Sequence, residues 1–240
     1  MSAVETARTG LARMIASGEL GAGQLLPSEA DLCERFGVSR SSLREAQKML
    51  SVAGVLTSRP GRRSAVSEMR APQIMSGLEM VMPLLPLDRY LELFSLREVL
   101  EGHVAAQAAA RMSDAECGRL VELAEELATT PPSDLAQTLD AEFHSMIIRG
   151  ADDEMVASLL EVMRRRGRDY RMFEMSKGEE LKVISDHAHG EIASAIKNRD
   201  PESARYLSMQ HVRVTRAWLE SLRPGPIVFE SEPGRGSAPA

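Results

Sequence analysis

Aromatic side chains are scarce in this 240-residue sequence, at five Phe, three Tyr and one Trp. Within residues 1–70 Phe36 stands alone. Proteins that hold single strands or RNA loops stack the bases on aromatic faces, so this segment lacks such a platform. Cysteine is also scarce. Cys33 and Cys117 lie far apart and outside any C-x-x-C spacing, which excludes a disulfide framework and suits a reducing cytoplasm. No basic, apolar, small-residue opening marks a secretory signal. The longest uncharged apolar run, residues 80–87, is interrupted by Pro83 and Pro86 and is too short to span a bilayer. A soluble, cytoplasmic chain is expected.

Charge is present but unevenly spread. The net charge of −6 divides at residue 70. The first part carries ten Lys+Arg against seven Asp+Glu, or +3, and the remainder carries 19 against 28, or −9. Between residues 39 and 66 six basic residues face one acid, Glu45. Such asymmetry fits a nucleic-acid module joined to an acidic body. On charge alone, a solvated face is the competing reading.

Hydrophobic spacing supplies the architecture. Apolar positions predict a helix over 4–17, after which Gly18, Gly21 and Gly23 break the pattern. Ser28 offers a cap for a second helix ending at Gly37, and Ser39 caps a third that Gly54 closes. Leu43, Ala46, Leu50 and Ala53 fall on one face of that third helix. Two short strands, 55–57 and 65–66, flank Arg59-Pro60-Gly61-Arg62. This is the order of a winged helix-turn-helix, expected over 1–69. Prolines and methionines make 70–87 a linker. Beyond it, helical period predicts helices over 88–111, 113–128, 133–149, 153–170, 176–198 and 201–222, so residues 88–223 form an all-α bundle. Residues 224–240, rich in Pro and Gly, are expected to be a disordered tail. The fold class is mostly α, a winged helix-turn-helix head followed by an all-α body.

On the third helix Arg40, Arg44 and Gln47 or Lys48 share the face opposite the apolar stripe. That face presents long polar side chains to a major groove wide enough for a helix, and arginine can bond guanine O6 and N7 together. Ser39, Ser41 and Ser42 at the helix start offer hydroxyls and free N–H groups to phosphates. The segments Leu26-Pro27-Ser28-Glu29, Phe36-Gly37-Val38-Ser39-Arg40-Ser41-Ser42-Leu43-Arg44-Glu45-Ala46 and Ala53-Gly54-Val55-Leu56 closely resemble the signature of the GntR family of bacterial transcriptional regulators. The resemblance implies a homodimer that reads a short palindromic operator in double-stranded DNA. It implies contacts from Ser39, Arg40, Ser41, Ser42, Arg44, Gly61 and Arg62. Ala30 and Ser64 depart from the family pattern, where arginine and glycine are common.

A second constellation lies in the body. Asp140 and His144 are four apart on one predicted helix and project from the same face. His189 lies eleven residues before Asp200 and His211 eleven after it. If the chain turns sharply at residues 198–200, both histidines sit about 16 Å from the turn and at the same height. Three imidazoles and a carboxylate suit a divalent transition metal. The competing reading is histidines buried as ordinary core. His187 is the local rival of His189 but lacks its symmetric relation to His211. Leu96-Arg97 with Leu100-Glu101, Asp140-x-x-Phe143-His144, and His189-x-x-Ile192 through Asp200 and Ala204 to His211 resemble the helical FCD domain of the FadR subfamily. That resemblance implies that Asp140, His144, His189 and His211 hold a metal, zinc or nickel, beside a small carboxylate effector. It also sets Arg97 facing the effector, although an i,i+4 ion pair with Glu101 explains Arg97 almost as well.

The expected function is a metal-dependent regulator responsive to a small organic acid and acting as a repressor, with no membrane partner. A purely structural metal is the alternative. A metal-dependent hydrolase is disfavoured because the sequence has no H-E-x-x-H and no nucleophile elbow, so no enzyme is expected.

Overall fold

The computed structural model describes residues 1–57, 63–175 and 177–225. Gly61 and Arg62 of the wing, and the tail from 226, lie outside them. The chain divides into two compact units, Met1–Pro83 and Leu84–Ala240. Among the described residues there are eleven α-helices and one two-stranded sheet.

The first unit orders α1 (Ala3–Ala16), α2 (Glu29–Phe36), α3 (Arg40–Val52), β1 (Leu56–Thr57), β2 (Ala65–Val66) and α4 (Ala71–Val81). Its helix ends follow local chemistry. Ser28 and Ser39 each accept a backbone N–H three residues on, at 3.2 Å, and Gly37 closes α2 in the left-handed region at φ 65°. Leu11, Leu32, Leu43, Ala46, Leu56 and Val66 form the core. Each fully buried leucine there contributes about 2 kcal/mol. β1 and β2 pair antiparallel, Leu56 opposite Val66 and Thr57 opposite Ala65, and Leu25 bridges to Ala65. The head is a winged helix-turn-helix.

Residues 71–81, whose composition reads as a linker, form α4. The N-terminus is set by Arg70, whose backbone N–H donates to the Gln73 side chain at 2.9 Å, and Ser76 Oγ donates to the Val52 carbonyl at 3.2 Å. Gly54 makes this packing possible. It has φ 74°, and a Cβ there would lie 1.8 Å from the Gln73 carbonyl oxygen. Gly54→Ala is therefore expected to cost this unit about 3 kcal/mol or more, combining backbone strain with overpacking. Urea unfolding of the variant checks this, and a cost under about 1 kcal/mol would contradict the close approach.

The second unit comprises α5 (Leu87–Glu92), α6 (Phe94–Arg111), α7 (Asp114–Thr129), α8 (Asp134–Gly150), α9 (Glu154–Arg168), α10 (Gly178–Lys197) and α11 (Pro201–Leu222). The single helix predicted over 88–111 breaks at Leu93. Tertiary contacts outweigh local propensity there. Tyr90 packs edge-on against Phe94 at 5.3 Å and donates its hydroxyl to the Met163 carbonyl at 3.1 Å. Val104, Ala105, Ala108, Leu120, Leu123, Phe143, Leu160, Ile192 and Ile196 fill the bundle core.

The turn from α10 to α11 decides the site. Arg199 takes φ 58°, and its guanidinium donates to the Ala109 carbonyl at 3.3 Å and to Asp114 at 2.6 Å. Asp200 then caps α11 by accepting the Ser203 N–H at 3.1 Å. The two helices leave this turn as packed neighbours. No helix among the described residues is long and apolar enough to cross a membrane.

Candidate metal centre and DNA-reading face

On α3 the apolar stripe is buried and the opposite face is open. Leu43, Ala46 and Leu50 face the core, while Arg40, Ser41, Arg44 and Lys48 are exposed. The Ser39 hydroxyl lies 2.9 Å from both the Ser41 and Ser42 hydroxyls, a small hydroxyl cluster at the helix N-terminus. Arg44 is engaged: its Nε and Nη2 donate to the two oxygens of Glu29, each at 2.9 Å. That hydrogen-bonded pairing holds the Glu29 carboxyl below its ordinary range. Sequence reasoning quoted Glu29 within the motif but missed its contact with Arg44, which spans two helices and leaves no periodic trace.

In the body, α8, α10 and α11 bring the expected residues together. His144 Nε2 lies 3.1 Å from His189 Nε2. Asp140 Oδ1 lies 3.5 Å from His189 Nε2 and 3.7 Å from His144 Nε2. The ligand atoms of His144, His189 and His211 all lie within 4.8 Å of one another. All three histidines are buried. His187 is instead exposed, 3.7 Å from Glu191, and His103 is half-buried outside the cluster.

Burial is the main force keeping these imidazoles neutral, and the Arg164 cation adds to it. His144 is pushed well below its ordinary value, and His189 and His211 are each lowered to about 3. Neutral imidazole is the form that donates a lone pair to a metal. His189 Nδ1 is buried with no hydrogen-bond partner among the described residues. Three convergent imidazole donors with a carboxylate beside them fit a metal ion.

Asp140 is oriented by charge. Arg164 Nη2 lies 3.4 Å from Asp140 Oδ2, leaving Oδ1 towards the histidines. Arg164 Nη1 donates to Glu101 Oε2 at 2.9 Å. Arg97 closes the chain, with Nη2 2.7 Å from Glu101 Oε1 and Nη1 3.1 Å from the Tyr90 hydroxyl. Burial alone would raise the Glu101 carboxyl, and the two arginines outweigh it and hold it below its ordinary range. A cavity of about 70 Å³ opens beside this network, lined by Asp140, Arg164, Arg168, Phe173, Leu181 and His211 among others. Arg97 reaches its wall, yet the i,i+4 ion pair with Glu101 is fully formed.

A winged-helix head with an arginine-bearing recognition helix, joined to an all-α body around a histidine cluster, defines a DNA-binding transcriptional regulator. The chain belongs to the GntR family and carries an FCD domain. The family model "Bacterial regulatory proteins, gntR family" matches residues 3–66 and that of the FCD domain matches residues 92–214. The chain is 27% identical over 228 residues to the Glc operon transcriptional activator of Escherichia coli K12, covering 91% of this chain and 89% of that protein. It is 29% identical over 148 residues to the HTH-type transcriptional regulator LutR of Bacillus subtilis, covering 61% and 67% respectively. The solved Streptococcus agalactiae GntR superposes with a TM-score of 0.57 at 28% identity, covering 89% of this chain and 99% of that one. As in these relatives, the function is regulation rather than enzymic catalysis.

Proposed function

We propose that this protein is a metal-dependent regulator whose grip on a short palindromic operator, bound as a homodimer, changes when a small organic acid enters the body. The observation that carries this reading is the neutral histidine cluster opening beside an arginine-lined cavity. Asp140, His144, His189 and His211 would hold a divalent transition metal, zinc or nickel, the ions favoured by imidazole with one carboxylate. When bound, that metal supplies a Lewis-acid point for an oxygen of the acid. On the DNA side, Ser39, Arg40, Ser41, Ser42 and Arg44, with Gly61 and Arg62 of the wing, make the contacts.

The carboxylate contact falls to Arg168 more naturally than to Arg97. Arg97 pairs with Glu101, Arg164 with Glu101 and Asp140, and Arg171 with Asp134. Arg168 lines the same cavity and makes no hydrogen bond or ion pair with an acid among the described residues, Asp140 and Asp169 acting on it only through their charge. Arg97 then supports the site through Glu101. A purely structural metal is the second reading, favoured by the complete burial of His189.

The test is a gel-shift titration on a duplex that the protein selects from a randomised pool, with zinc or nickel and a panel of small carboxylic acids. At least one acid is expected to change DNA affinity by about 5- to 150-fold, the usual range of allosteric coupling. Arg168→Ala should abolish that response without altering ligand-free DNA binding. Release from DNA would make the chain a repressor. Tighter binding would match the activator mode in the name of its Escherichia coli relative. No response to any acid would leave the structural reading.

A further inference from the structure

Arginine presents five N–H donors in a planar fork. In Arg44 the side edge of that fork, Nε and Nη2, is closed by the two Glu29 oxygens at 2.9 Å each. Of the three donors left over, the one on Nη2 and one of the two on Nη1 form the end edge. They are parallel and correctly spaced for guanine O6 and N7. We infer that Glu29 is a positioning residue for DNA recognition, fixing Arg44 so that this end edge meets one guanine of the operator. The inference rests on the reading that Arg44 contacts a base.

Three observations favour this over a role in stability or affinity. The pair is exposed, at 63% for the Arg44 side chain and 36% for that of Glu29, and exposed ion pairs add little to folding. A carboxylate on a surface facing phosphates repels them, so Glu29 opposes general DNA binding. It is also firmly placed. Ser28 caps α2, setting Glu29 in the first turn, where the helix dipole favours negative charge. Glu29 thus freezes a long, flexible side chain before DNA arrives, and Arg44 has less freedom to lose on docking. Arg40, exposed one turn away on α3, makes no hydrogen bond or ion pair with an acid among the described residues, although its charge helps to lower the Glu29 carboxyl, and it remains available for a phosphate. One arginine would read a base under restraint while the other binds the backbone.

The experiment uses the full chain and two duplexes of equal length, one selected from a randomised pool by the wild-type protein and one unrelated. Affinities come from fluorescence anisotropy, and thermal midpoints check folding. Glu29→Ala and Glu29→Gln are each expected to lower the preference for the selected duplex by about tenfold, with affinity for the unrelated duplex unchanged or increased. In an Arg44→Ala background, adding Glu29→Ala should lower preference no further. Replacing the guanine read by Arg44 with 7-deazaguanine, which lacks N7, should penalise the wild type more than either Glu29 variant. If Arg44→Ala lowers preference but neither Glu29 variant does, the positioning role is overturned. An additional loss in the double variant would also overturn it, because Glu29 would then contact DNA itself. If Arg44→Ala leaves preference intact, base reading by Arg44 fails and takes this inference with it.

Discussion

Replacing His189 with alanine is expected to weaken metal binding by at least about 100-fold, since loss of an outer-shell partner alone typically costs 10- to 100-fold. Competition against a chromophoric chelator measures it. The same cluster predicts how the metal-free protein responds to acid. His189 and His211 titrate at about 3 in the folded chain, lowered mainly by burial, against 6.5 ordinarily. Between those values the unfolded chain binds protons that the folded chain does not. Stability is therefore complete above about pH 6.5 and falls as pH drops towards 3, by about 1 kcal/mol per pH unit for each histidine. Urea midpoints of metal-free protein at pH 7.5 and 5.5 should differ accordingly, and His189→Ala should flatten the difference. Equal midpoints in the wild type would mean that the folded imidazoles already accept protons. Asp140→Asn separates the two roles of the metal. Loss of folding would favour a structural ion, whereas an intact fold with a lost acid response would favour sensing.

Much of this site was legible because it is local or symmetric. Asp140 and His144 follow from helical spacing, and His189 and His211 from equal distances either side of Asp200. That symmetry depends only on the turn, where Asp200 caps α11 and Pro201 opens its first turn. Gly37 and Ser39 likewise wrote the helix ends into the chain. What stayed hidden depends on partners distant in sequence. Arg164 reaches Glu101 across 63 residues and Arg44 reaches Glu29 across 15, and no periodicity encodes either pair. The break at Leu93 comes from Tyr90 seeking Met163, 73 residues away. Helix α4 escaped because Pro72, Pro83 and Pro86 read as a linker, although Ala71, Ile74, Leu78 and Val81 recur at helical spacing; of these it buries only Ala71. Arg164 and Arg166 are buried, the first beside acids of other helices, and nothing in the charge of that run announces it.

The largest loss of stability in the body is expected from Glu101→Gln. Glu101 is 3% exposed and sits between the guanidiniums of Arg97 and Arg164. Removing its charge strands two buried cations with the single carboxylate of Asp140 between them. Breaking one member of a buried ionic cluster typically costs about 3–5 kcal/mol, far more than such a cluster adds relative to an apolar replacement. The same change would draw Arg164 more strongly onto Asp140, so the variant's metal affinity should fall as well. Adding Arg97→Met removes the excess cation and leaves Arg164 balanced by Asp140. That double variant should recover a large part of the loss, although methionine forfeits the hydrogen bond to Tyr90. Chemical denaturation of the three proteins, without metal, gives the comparison. A cost below about 1 kcal/mol for Glu101→Gln would mean that water reaches the network and screens it. The cavity beside it would then be wetter and wider in solution, and the arginines lining it would be freer to meet an anion than their ion pairs imply.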